Sequence, residues 1–83
     1  KKRIEYIVKF IPILENLNNW DIENLQIKIS LFIKDQNIKF VDFGKPLRIL
    51  MINKENGPSI SDILYIFGKK NSIFIIKNYI NNI

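Results

Sequence analysis

Arg48 offers the most specific chemistry in this chain. It closes the run Phe43-Gly44-Lys45-Pro46-Leu47-Arg48. A guanidinium is planar and always charged; it can fork onto a base edge or a phosphate, or stack on a ring. A polar loop follows, Asn53-Lys54-Glu55-Asn56-Gly57, and then Pro58-Ser59-Ile60 begins an apolar run that stops at Gly68. The bland alternative for Arg48 is an ion pair or a charge on a helix surface. Lys45, before the loop, and Lys54, within it, suit phosphate contact or plain solvation. Catalytic groups are scarce. The absence of His and Cys removes the commonest general base, the thiol nucleophile and the usual zinc ligands. The three glycines are scattered at turn positions and make no phosphate-cradling loop. Asp21, Glu23 and Asp62 fall at helix starts, where capping and the helix dipole explain them. No catalytic constellation, metal site or cofactor is expected in this chain.

The elements that must carry Arg48 read as helices. Over residues 4–17, Ile4, Ile7, Ile11 and Leu14 recur at helical spacing, and Leu17 continues the face. Pro12 is expected to kink or split that helix. Asp21 is a good N-cap for a second helix with the buried stripe Ile22, Leu25, Ile29, Phe32 and Ile33, ended by Asp35-Gln36-Asn37. Trp20, just outside that start, reads better as a staple to the core than as a base-stacking platform. Residues 38–42 alternate like a strand but have no partner strand, so a loop is expected there.

Gly44 then frees the backbone, and Pro46 fits the first turn of a third helix over 45–52, with Leu47, Leu50 and Met51 buried. Pro58 or Ser59 opens a fourth helix to Phe67, with Ile60, Ile63, Leu64 and Phe67 on one face. Gly68 is a natural left-handed C-cap. A last helix through Asn81 has the stripe Ile73, Ile76 and Ile80, although Ser72-Ile73-Phe74-Ile75-Ile76 also has strand propensity. The fold expected is all-α, a compact bundle of about five short helices around one core.

Composition fits one small domain: 83 residues, 47% hydrophobic and 25% charged, enough to bury a modest core. No apolar run approaches membrane-span length. The basic start Lys1-Lys2-Arg3 leads into Glu5, Lys9 and Pro12 rather than an apolar signal core. Lack of Cys suits a cytoplasmic setting. The first residue is Lys rather than Met, so the chain reads as a fragment or processed product. The net charge of +5 is uneven. Residues 1–42 hold seven basic and six acidic groups, and residues 43–83 hold six and two. The basic half suits a polyanion such as RNA, although Lys, Ile and Asn abundant throughout also fit a codon bias to A and T.

Pro46-Leu47-Arg48, then Pro58-Ser59-Ile60, then Phe67-Gly68-Lys69 resembles the C-terminal anticodon-binding domain of bacterial-type glutamyl-tRNA synthetases. The spacing from the arginine to the glycine fits without a gap. The resemblance runs back continuously to Trp20, and residues before it form only a compatible helix. It implies one C-terminal domain over 1–83, part of a longer class I synthetase. It also implies a glutamate-acceptor tRNA as partner, no DNA or membrane partner, a monomer, and a helical last segment. The catalytic half of that family, with its His-x-Gly-His ATP motif and Lys-rich loop, is absent from this sequence. ATP and Mg would therefore belong to the parent enzyme. Carried over residue by residue, Arg48, Pro58 and Ile60 meet the anticodon bases. Ile60 stands for the usual Leu. Gly57 stands where a Ser or Thr is common and removes a hydroxyl that Ser59 can supply instead.

Two other classes remain open on the sequence. A helical module that docks on a protein partner would use the abundant Ile. A DNA-binding helix-turn-helix is weaker, because its recognition helix from Ser59 would carry no basic residue before Gly68.

Overall fold

A computed structural model describes residues 2–82, with side chains from Ile4 onward. The basic start Lys1-Lys2-Arg3 lies outside the described side chains. The chain folds as five helices: α1 (Lys2–Glu15), α2 (Ile22–Gln36), α3 (Phe40–Ile52), α4 (Ile60–Phe67) and α5 (Lys69–Asn81). No strand occurs among the described residues. The Ile-rich segment 72–76 is helical, because Ser72 and Ile76, one turn apart, both point into the core.

The core is centred on three phenylalanines from three helices. Phe10 of α1, Phe32 of α2 and Phe43 of α3 pack with ring centroids 4.9 to 5.2 Å apart. The Phe10 pairs are edge-on, the arrangement that ring quadrupoles favour. Ile7, Leu14, Leu25, Leu47, Ile60, Leu64 and Ile76 are buried around them. Helix α3 touches α1, α4 and α5; α1 packs on α5 and α2 on α4.

Local chemistry sets most boundaries as expected. Asp21 caps α2, its carboxylate accepting from the Asn24 N–H at 2.8 Å. Asn37 ends that helix in the left-handed region, as a short amide side chain permits. Trp20 is half-buried and donates its indole N–H to the Leu64 carbonyl at 2.9 Å, which makes it the expected staple, reaching across to α4. The Ser72 hydroxyl and the Gly68 N–H donate to that same carbonyl, so the start of α2, the end of α4 and α5 meet at one acceptor.

Several local expectations are corrected. Pro12 does not split α1. It lies on the exposed side near the helix end, while Ile7, Phe10 and Leu14 hold the opposite face in the core. Residues 40–42, expected as loop, are the first turn of α3. Pro46 therefore sits inside α3 rather than in its first turn. Gly44 does not loosen the backbone. It is helical and buried, and a Cβ there would lie 2.6 Å from Cε2 of Phe40. Its lack of a side chain gives the Phe40 ring a seat on the helix. Pro58 precedes the cap of α4 rather than opening it. Ser59 is the N-cap, accepting from the Asp62 N–H at 3.2 Å. Gly68 has positive φ but an extended ψ (85°, 163°), so it is not a left-handed helical cap; α5 starts directly after it, at Lys69.

Candidate nucleic-acid interface

The site is built from the end of α3, the loop 53–59 and the start of α4. Asn53 ends α3 in the left-handed region and turns the chain outward, its N–H bonded to the Ile49 carbonyl at 2.8 Å. Gly57 takes φ +148°, a conformation that favours glycine, beside Cδ1 of Ile52. The loop then returns to the Ser59 cap.

Arg48 fastens this loop. Its Nε–H donates to the Pro58 carbonyl at 3.1 Å and its Nη1 to the Glu55 carbonyl at 3.2 Å. Those bonds use two of the five guanidinium N–H groups and leave the rest for an acceptor in solvent. Arg48 thus shapes the loop as well as offering charge, a role the sequence alone did not reveal. Lys45, one turn earlier on α3, lies 3.8 Å from the Glu55 carboxylate; both are well exposed, so the pair contributes little to stability. Gly57, Pro58 and Ser59 are exposed at the loop's end. Ile60 is only 2% exposed, so a ligand would meet it only at the floor of a cavity.

That cavity, of about 420 Å³, opens beside the loop, between α2 and the starts of α3 and α4. Ile29, Ile33 and Ile60 form its apolar side, and Phe40 adds a half-exposed ring. Gln26, Ser30 and Ser59 bring neutral polar groups. Ser59 also lies 3.1 Å from the buried hydroxyl of Ser61, which fixes its rotamer. Gln26, Ser30 and Phe40 were missed in the sequence. The available signal was the Phe40-to-Gly44 spacing, which puts a bare helix surface under an aromatic ring.

Lys69, in the last shared motif, points elsewhere. Its Nζ donates to the Leu17 carbonyl at 2.9 Å and ties the start of α5 to the segment after α1. Among the described residues no group of three or more His, Cys, Asp or Glu is placed to hold a metal, and no helix is long and apolar enough to cross a membrane.

An all-helical module with an arginine-braced loop in its basic half is the class that fold and site define. The profile of the anticodon binding domain matches residues 1–80, and the chain belongs to that family. Curated relatives carry the name glutamate–tRNA ligase. The one from Mesoplasma florum is 36% identical over 63 residues, covering 76% of this chain and 13% of the relative. The one from Buchnera aphidicola subsp. Cinara cedri is 37% identical over 75 residues, covering 89% and 16%. The one from Mycoplasma genitalium is 34% identical over 68 residues, covering 82% and 14%. The chain therefore spans only about a seventh of these relatives' length.

Proposed function

We propose that this chain reads the anticodon loop of a glutamate-acceptor tRNA, as the C-terminal domain of a glutamate–tRNA ligase. The observation that carries the reading is the Arg48 brace. It holds an exposed, glycine-dependent loop in one shape and keeps spare guanidinium donors beside it. Specific RNA recognition targets unpaired loops whose bases can splay onto such surfaces. Membership of the anticodon-binding family and the names of the relatives support the choice of RNA.

In this reading Arg48 bonds a base edge or phosphate, while Pro58, Ser59 and the floor residue Ile60 meet base faces and edges. Gly57 gives the loop its turn. Lys45 and the other lysines of residues 43–83 add salt-dependent affinity without sequence information. Glutamate activation, with ATP and Mg, takes place on another part of a cytoplasmic enzyme. The domain acts as a monomer, which sedimentation of the isolated chain would check.

The test is binding, at physiological salt, to two RNA hairpins, one with the glutamate anticodon loop and one with that loop scrambled. Tighter binding to the first is expected. Arg48→Ala is expected to weaken the cognate hairpin more than the scrambled one. An equal loss on both would reduce Arg48 to a charge.

A further inference from the structure

We infer that the cavity beside the loop is a pocket for a single base, in which Phe40 stacks on a splayed base and Gln26 with Ser30 reads its edge. The inference rests on the anticodon-loop reading above and assigns it residues from α2 and the first turn of α3.

Four observations lead there. The first is size: about 420 Å³ lies near the lower end of ligand sites, roughly 300–1,000 Å³, and suits one nucleoside rather than a stretch of chain. The second is charge. No lining residue is charged, so the pocket favours a neutral, flat group over a phosphate. The third is Phe40. Its ring is seated over Gly44, where any Cβ would stand 2.6 Å from it, yet the residue stays 45% exposed. A ring supported by its own helix and open to the cavity is a stacking platform, the commonest device for holding an unpaired base.

The fourth is the polar edge. Gln26 and Ser30 lie four apart on α2 and so share a face. Both side chains are exposed and make no side-chain hydrogen bond or ion pair among the described residues. An amide carries donors and an acceptor together, and a hydroxyl adds one of each, which matches a base edge. The pocket is also continuous with the braced loop. Ser59 and Ile60 line it, directly after the Pro58 carbonyl that Arg48 holds. A base entering here would leave its phosphate at the mouth, on the side of the loop.

The experiment measures affinities for the glutamate-anticodon hairpin and for hairpins in which each anticodon base is replaced in turn. It compares the unaltered chain with Phe40→Ala, Gln26→Ala and Gly44→Ala, each first shown to be helical by circular dichroism. Phe40→Ala is expected to lose roughly 5- to 150-fold on the cognate hairpin, the range for one stacked base. Gln26→Ala is expected to abolish preference at one loop position and leave the others intact. Gly44→Ala, which improves helix propensity, is expected to displace the ring and weaken binding all the same. If the unaltered chain selects the cognate hairpin and the three variants match it within about twofold, the pocket is overturned while the anticodon reading stands. Full base preference at every position in Gln26→Ala likewise removes the edge reader. An unaltered chain with no selectivity overturns both.

Discussion

Arg48 stood out in the sequence because arginine after Pro-Leu, facing a polar loop, is chemically versatile. Its partners did not. They are backbone carbonyls of Glu55 and Pro58, and which carbonyls face a side chain depends on the path of the loop rather than on residue types. A planar fork that spans two carbonyls is something an ammonium cannot reproduce. Arg48→Lys keeps the charge and loses at least one of these bonds, worth about 1 kcal/mol, or roughly fivefold. We therefore expect NMR backbone order parameters across Glu55–Ser59 and cognate-hairpin affinity both to fall, while binding to the scrambled hairpin barely changes. Unchanged order parameters in that segment would show that the loop keeps its shape without the fork. The opposite lesson comes from Trp20. Its position before a capped helix sufficed to favour the staple, and the 2.9 Å bond to Leu64 is that staple.

Among the elements, α3 was the hardest to read. Pro46 favours a helix start, and the alternation of Ile38 and Phe40 imitates a strand, so the first turn of α3 was hidden. Contacts with α1, α4 and α5 hold the helix through its proline, a case of tertiary packing overriding local preference. Helices α1, α2 and α4 were legible because their apolar stripes keep the helical period, whereas the short run 72–76 suits a strand as well, and a helical α5 followed only from the family resemblance. Even so, Phe10 escaped the α1 stripe, since 7, 10 and 14 describe a face as well as 4, 7, 11 and 14 do. The junction of α4 and α5 depends on Gly68, whose N–H closes α4 and whose carbonyl accepts from Ser72 at 2.9 Å. Nothing lies within 4 Å of a Cβ built at Gly68, but its φ of +85° strains any side chain. Gly68→Ala should cost roughly 1–3 kcal/mol through backbone strain alone, read as a lower urea midpoint with the slope unchanged.

At the scale of the whole molecule, the three-ring cluster joins α1, α2 and α3, and Phe10 belongs to both edge-on pairs. Truncating a buried phenylalanine typically costs about 3–5 kcal/mol. Small domains have only about 5–15 kcal/mol in all. Phe10→Ala is accordingly expected to leave the chain marginal at 25 °C, with a broadened thermal transition or loss of near-UV circular dichroism. A cooperative transition within a few degrees of the original would place the weight of the core elsewhere. The bundle itself was legible from the clear apolar periods of α1, α2 and α4 together with the family resemblance. Which rings meet at its centre was not, because that depends on how the helices cross.

The pairing of α1 with α5, which carries the exposed 2.6 Å contact of Lys77 with Glu15 at its surface and Lys69 on the Leu17 carbonyl at its end, has a consequence for synthesis. The first helix of this chain to leave the ribosome finds one of its main partners only when the last one emerges. Until then the buried face of α1 has an incomplete partner surface. Closure is therefore a late event in the making of the domain, and a nascent chain that stalls before α5 would expose that apolar face to chaperones.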